Sequence, residues 1–347
     1  MIPTPDRLKR IAIFSTAALA ACLFTAPAQA QRNRIKLGTQ APRGTSMHKT
    51  LQQLAEQWRA APGGGVQLVI YPDGTMGSEA DMVRRMRIGQ LQAAMLTVSG
   101  LAEIDPAVSA LQKMPLVYRT LDEAEYVRNK LRPELEQRLL QKGFVVLFWG
   151  DAGWAHFFSK EPATNPEDFK KMKMFVGAGD TDQIEIMKSL GFQVVPLEWS
   201  DALTSLQTGM IDAVPTIPLH ALAGQFYLVT RHMLPVPYVP LSGATVVTRA
   251  AWEQLPEETR VALREASATA GDRITALNRQ ENKEAIDAMR ARGLQVHTLT
   301  PEVEERWVRF CEGVYPQIRG RLVPADMFDR TLAVVREYRA TVAGVRR

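Results

Sequence analysis

Residues 257–292 read EETRVALREASATAGDRITALNRQENKEAIDAMRAR, 36 positions with no proline and a single glycine, Gly271. Pro256 stands where helices accept proline at their start, and Gly293 follows as a natural stop. As one helix, at about 1.5 Å per residue, the run is roughly 54 Å long. Half of a 347-residue chain is narrower than that. The helix therefore lies across two lobes or breaks near Gly271. Two lobes are also what the length implies, because a chain of this size is near the limit for one hydrophobic core.

Ahead of this run, short apolar stretches alternate with amphipathic ones. Ile35–Gly38 reads as a strand, and Ser46–Arg59 as a helix with Leu51, Leu54, Ala55 and Trp58 on one face. Val66–Tyr71 is the next strand, closed by the turn Pro72-Asp73-Gly74. Ser78 can cap a helix running to about Ile88, with Glu79 near its positive end, and Ala93–Val98 is a third strand. This order with short connections argues for an α/β lobe. Leu121–Leu131 reads as a helix, after which Pro133 starts a second one or kinks the first. Phe144–Trp149 has the composition of a buried strand. A second α/β series follows, with strands Lys173–Val176 and Phe192–Val195 and helices Asp182–Leu190 and Asp201–Thr208, the last stopped by Gly209.

Apolar residues at 46% and charged residues at 23% exclude a disordered or fibrous chain. The net charge is +5, of which Asp6, Arg7, Lys9 and Arg10 supply +2, and the remaining +3 is too small to argue for nucleic acid. Arg7, Lys9 and Arg10 precede the apolar run Ile11–Phe24 and the small-residue site Ala28-Gln29-Ala30, so residues 1–30 read as a signal peptide. The run is about 14 residues, short of the ~20 that span a bilayer. Leu19-Ala20-Ala21-Cys22 offers the alternative of a lipoprotein box with Cys22 lipidated, but the apolar run continues past that cysteine, which favours cleavage after Ala30. Either route places the protein in the periplasm, and no other segment is apolar enough to cross a membrane. Cys311 is left without a disulfide partner and reads as a small buried residue.

Equipment for catalysis is missing from the pattern. The five histidines never pair at metal-ligand spacing, so no metal site is expected. Gly63-Gly64-Gly65 lacks the lysine of a phosphate loop, and Gly177-Ala178-Gly179 is only a fragment of a dinucleotide fingerprint. No Gly-x-Ser-x-Gly elbow occurs. No cofactor is expected, and a solute receptor is a better reading than an enzyme.

Several segments, in order, resemble the substrate-binding proteins of TRAP transporters of the dicarboxylate-receptor type. Tyr71-Pro72-Asp73-Gly74-Thr75-Met76-Gly77-Ser78 is similar to the family's Tyr-Pro-x-x-x-Leu-Gly-Ser turn, and Gly89-Gln90-Leu91-Gln92-Ala93-Ala94 to its Gly-x-Leu-x-x-Ala. Pro166-Glu167-Asp168-Phe169-Lys170 resembles Pro-Glu-Asp-Leu-Lys, and Ser205–Ala213 resembles Ala-Leu-Gln-Thr-Gly-x-x-Asp-Gly. The resemblance implies a two-lobed, type II-like periplasmic binding protein of α/β class with a long helix spanning both lobes. On that reading residues 33–150 with 240–255 form lobe I, 151–239 with 294–347 form lobe II, and 257–292 is the spanning helix. It also implies two partners, a small-molecule ligand and the TRAP transporter membrane subunits.

The departures bear on the ligand. At the family positions where arginines clamp the ligand carboxylate stand Phe175 and Ala155, and Thr216 stands where the family has asparagine. Burying a carboxylate against Phe175 without a cation would cost roughly several kcal/mol. Aromatic residues gather in the same region, and Trp149, Trp154 and Phe175 are expected to wall the pocket, core packing being the alternative for each of the three. Gln40, Thr97 and Ser99 are expected from lobe I and Thr216 from lobe II. The function expected is periplasmic delivery of an apolar or neutral ligand. The alternatives are an organic-acid receptor whose cation has moved, for instance to Arg43, or an exported enzyme on a similar scaffold.

Overall fold

The computed structural model describes residues 34–345, so the leader and Cys22 lie outside the described residues. Its strands form one nine-stranded sheet in the order β2 (Gln67–Tyr71), β1 (Arg34–Thr39), β3 (Ala93–Thr97), β8 (His232–Thr248), β4 (Phe144–Ser159), β7 (Ala213–Thr216), β5 (Lys173–Gly177), β6 (Gln193–Leu197), with β9 (Gln295–Val296) paired to β8. At one side lie β1, β2 and β3. At the other lie β5, β6 and β7. Between them run two long antiparallel strands, β4 and β8, which belong to both halves. The buried strand read at Phe144–Trp149 is thus only the first part of β4.

Local chemistry accounts for the flanking helices. In α1 (Ser46–Arg59) the Thr45 side chain caps the His48 amide, and Leu51, Leu54, Ala55 and Trp58 are buried as their spacing predicts. In α2 (Glu79–Arg87) Ser78 and Asp81 cap each other's backbone, both at 3.2 Å. Pro133 neither starts nor ends a helix, because α3 (Leu121–Gln141) runs through it. The second half carries α4 (Thr181–Ser189), α5 (Ala202–Thr208) and α6 (Pro218–Ala223).

The long run forms α7 (Glu257–Arg290), 34 residues without a break. Leu263, Ala270 and Ile274 pack with Leu51, Trp58 and Phe148 in the core of the first half. Met289 packs with Phe158, Phe175 and Leu206 in the core of the second. Gly271 does not break the helix; it lets the helix touch the sheet, since a Cβ there would lie 2.7 Å from the Phe148 ring.

The C-terminal segment departs from the lobe boundary expected at 294–347. β9 (Gln295–Val296) pairs with β8, and α8 (Pro301–Ile318) sets Val303, Trp307 and Cys311 against Phe157 and Phe169 of the second half. Val314, Ile318 and the helix α9 (Ala325–Val345) then return to the first half, where Met327, Phe328 and Val335 pack with Leu131 and Leu135. Arg339 anchors α9 by donating to the buried Glu123 carboxylate at 2.7 Å. Ion pairs also join the halves: Lys113 meets Asp180 at 2.8 Å, with only 11% and 15% of the side chains exposed, and Arg321 meets Asp182 and Glu185.

Candidate functional site

Where the halves meet, β4 loses its regular pairing with β8. The register shifts between Asp151 and Trp154 and again between Ala155 and Phe157. Gly153 there adopts a φ of +99°, and a Cβ on it would come within 2.8 Å of the Asn282 amide nitrogen. Asn282 uses that closeness to hold three elements together. Its amide donates to the carbonyls of Ala152 and Asn278, both at 2.7 Å, and its oxygen accepts from Leu219 N of α6 at 2.9 Å. Asn278, one turn earlier, donates to the Asp151 carbonyl at 3.3 Å. Both asparagines are buried. They satisfy backbone groups that a bulged strand leaves unpaired.

Beside this junction sits a knot of charge. Asp151 is 5% exposed. It accepts from Arg279 of α7 at 2.9 Å and lies 3.7 Å from Arg128 of α3. Arg279 also binds Glu125 at 2.8 Å and Asp122 at 3.3 Å. Its pKa is raised, chiefly by the hydrogen bond to Asp151, whereas burial lowers that of Arg128 against the pull of Asp151 and Glu125.

A cavity of about 80 Å³ opens next to the bulge. The first half contributes Thr39, Gln40, Met47, Glu79 and Thr97, and the second contributes His220. The shared elements supply Phe148, Asp151, Ser242 and Thr245 from the long strands and Ile274 and Asn278 from α7. Gln40 is held by donation to the Gly77 carbonyl at 3.0 Å. Glu79 accepts from Thr97 N (2.8 Å), Thr97 Oγ1 (2.6 Å) and Gly100 N (2.9 Å). Burial raises the Glu79 pKa, opposed by these donors. Among the described residues, no lysine or arginine lines this cavity.

A larger open groove, about 570 Å³, lies nearby between α7, β4 and α6. Trp154, His156, Pro218, Arg279 and Lys283 are among its lining residues. The arginine is already committed to carboxylates.

Of the residues expected at the site, Gln40 and Thr97 line the cavity and Trp154 lines the groove. Arg43, Ser99, Trp149, Phe175 and Thr216 line neither. Arg43 is 68% exposed and paired with Asp73 at 3.3 Å, so it is not a cation displaced into the pocket. Ser99 lies in the short helix Val98–Ala102 beyond β3. Trp149 donates its indole N–H to Glu136 at 3.0 Å and joins the core on the α3 side. Phe175 packs edge-on against Trp199 at 5.4 Å, in the core of the second half. Thr216 is buried at the end of β7, opposite His156. The sequence reading missed Asp151, His220, Ser242, Thr245 and Asn278. For α7 a signal existed: Asn278 and Asn282, one turn apart, sit on the face that should have been apolar.

The histidines at this junction carry a pH consequence. His156 Nδ1–H donates to the Val236 carbonyl at 2.9 Å, leaving Nε2 as an acceptor. Burial pushes His156 and His220 down to about 4. An unfolded histidine titrates near ~6.5. Below that pH the unfolded chain therefore gains protons that the folded one does not. Stability is fully present above pH ~6.5 and falls as the pH drops toward about 4, by up to about 3 kcal/mol per histidine. Urea unfolding of wild type and of His156→Gln/His220→Gln between pH 7 and 5 should show a shallower slope in the variant. Equal slopes would show that these rings do not stay neutral in the fold.

The DctP family model, described as bacterial extracellular solute-binding protein, family 7, matches residues 37–320. The C4-dicarboxylate-binding periplasmic protein DctP of Rhodobacter capsulatus is 23% identical over 283 residues, 81% of this chain and 84% of that one. A solved TRAP periplasmic solute binding protein from Shewanella oneidensis, with bound succinate, has a TM-score of 0.80 at 19% identity, covering 87% of this chain and 99% of that one. Another from Ralstonia eutropha, with bound (S)-2-acetolactate, has a TM-score of 0.80 at 20% identity, covering 88% and 99%.

Proposed function

The chain belongs to family 7 of the bacterial extracellular solute-binding proteins, the receptors of TRAP transporters, and on that premise we propose that its ligand is small, neutral or apolar, and carries no carboxylate. The receptor works in the periplasm and passes this ligand to the membrane subunits of its transporter. It performs no catalysis.

One observation carries the reading of the ligand. The cavity between the halves has carboxylates in its wall, Glu79 and Asp151, and, among the described residues, no lysine or arginine. An acid entering it would be stripped of water with no lining cation to receive it. The organic-acid alternative would place the acid outside this cavity, in the neighbouring groove where Lys283 lines the wall, or needs Arg279 to leave Asp151, Glu125 and Asp122, or Arg43 to turn inward from Asp73. Gln40 and Thr97 approach from one half and His220 from the other. A ligand touching both halves favours their closed arrangement, since it interacts better with that state. The irregular pairing at Asp151–Phe157 is where the crossing strands can flex.

Native mass spectrometry of the protein purified from its own periplasm, followed by extraction of what it carries, tests this. A compound without a carboxylate is expected. A stoichiometric organic acid would overturn the reading of the ligand while leaving the receptor role intact.

A further inference from the structure

We propose that the Thr245 hydroxyl is the polar anchor of a subsite on the β8 side of the cavity, taking an uncharged oxygen-bearing group, an alcohol or an amide, at the end of an apolar chain. This deepens the reading of the ligand given above and rests on it.

Thr245 belongs to β8 at a point where that strand is flanked on both sides. Its ladder partners are Met95 of β3 and Phe148 of β4, so all three side chains stand on the same face. That face is covered by α7, whose Ile274 packs in one cluster with Phe148 and Met95. Thr245, Met95, Phe148, Ile274 and Met47 all line the cavity. The side chains beside Thr245 are therefore apolar, and the other hydroxyl of this row, Thr39 beside Met95, already accepts from Ala41 N at 3.0 Å. Thr245 is 0% exposed, and its Oγ1 has no hydrogen-bond partner.

A buried hydroxyl without a partner is unfavourable, and valine would fill the same space without that penalty. A single water does not remove the difficulty, because a buried water needs about two to four polar partners and both ladder neighbours of Thr245 are apolar. A ligand atom does remove it. The hydroxyl can both donate and accept, so it suits an alcohol, an amide or a ketone oxygen. A charged group would be buried there without a counter-ion, since no lysine or arginine lines the cavity and its carboxylates already have partners of their own: Glu79 has Thr97 and Gly100, Asp151 has Arg279. The polar side chains Gln40, Glu79 and Thr97 remain at the β1 and β3 ends, leaving the apolar chain to span Met47, Met95 and Ile274.

Isothermal titration calorimetry with 1-butanol, butyramide, butyrate and butylamine tests the subsite on one carbon skeleton. Wild type should bind the alcohol and the amide at least about tenfold more tightly than the acid or the amine. Thr245→Val should weaken the alcohol and the amide by about tenfold, whereas Thr245→Ser, which keeps the hydroxyl, should stay within a few-fold of wild type. Ligand-free Thr245→Val should unfold at the same temperature as wild type or higher, which separates lost binding from lost folding. Undiminished binding of the alcohol by Thr245→Val overturns the subsite alone. Butyrate binding as tightly as 1-butanol overturns the uncharged-ligand reading as well. No binding of either uncharged compound by wild type, or a lower unfolding temperature for Thr245→Val, also counts against the proposal.

Discussion

Asp151→Ala is expected to lower the free energy of unfolding by about 3–5 kcal/mol, the loss associated with orphaning a buried ion. Asp151 is the carboxylate shared by Arg128 and Arg279, and the Arg128 side chain is only 9% exposed. Without Asp151, Arg128 keeps only Glu125, at 3.5 Å. Arg279 loses the hydrogen bond that most raises its pKa but keeps Glu125 and Asp122. Asp151→Asn separates charge from volume: it preserves the shape and should cost nearly as much as alanine. Urea denaturation followed by far-ultraviolet circular dichroism measures both. A loss below about 1 kcal/mol, the size seen for surface pairs, would mean that the knot is solvated rather than buried.

Gly271→Val should be comparably damaging, with a loss of about 3 kcal/mol from overpacking. The added Cβ would meet Phe148 at its own Cβ and Cγ, both at 2.8 Å, so rotating the ring away gives no relief and the helix must lift. Gly271→Ala gains about 1 kcal/mol of helix propensity yet should still come out destabilising. The decisive measurement is a double-mutant cycle. Phe148→Ala alone should lose about 3–5 kcal/mol as a cavity forms. Combined with Gly271→Ala it should lose less than the sum, by roughly 0.5–3 kcal/mol. Strict additivity would show that the helix does not rest on Phe148.

Much of this architecture was legible beforehand, for reasons that differ by element. The 34-residue helix α7 shows itself through what it lacks, and α2 through the Ser78–Asp81 cap with its acidic first turn. β8 was hidden. Pro235 and Pro237 fall between Leu234 and Val239, where the strand's register with β4 slips, and prolines at that density argue against a strand. The C-terminal crossing was hidden too, because helical periodicity in 301–345 says which face is buried but not against which half. At the site, short-range signals located Gln40 and Thr97, which lie at the ends of β1 and β3. Family position pointed to Phe175 and Thr216, and the packing of the second half turned Phe175 toward Trp199. Thr245, His220 and Asn278 come together only through tertiary contacts between β8, α6 and α7, and no local pattern announces them.

The return of the chain to its first half sets the minimum expressible unit. The family match stops at residue 320, yet Met327, Phe328 and Val335 beyond it are among the most buried side chains. A recombinant fragment trimmed at the matched boundary would strip the lid from Leu131 and Leu135 and leave the Glu123 carboxylate without Arg339. Purification handles therefore belong after the final helix, outside the fold, and never in its place.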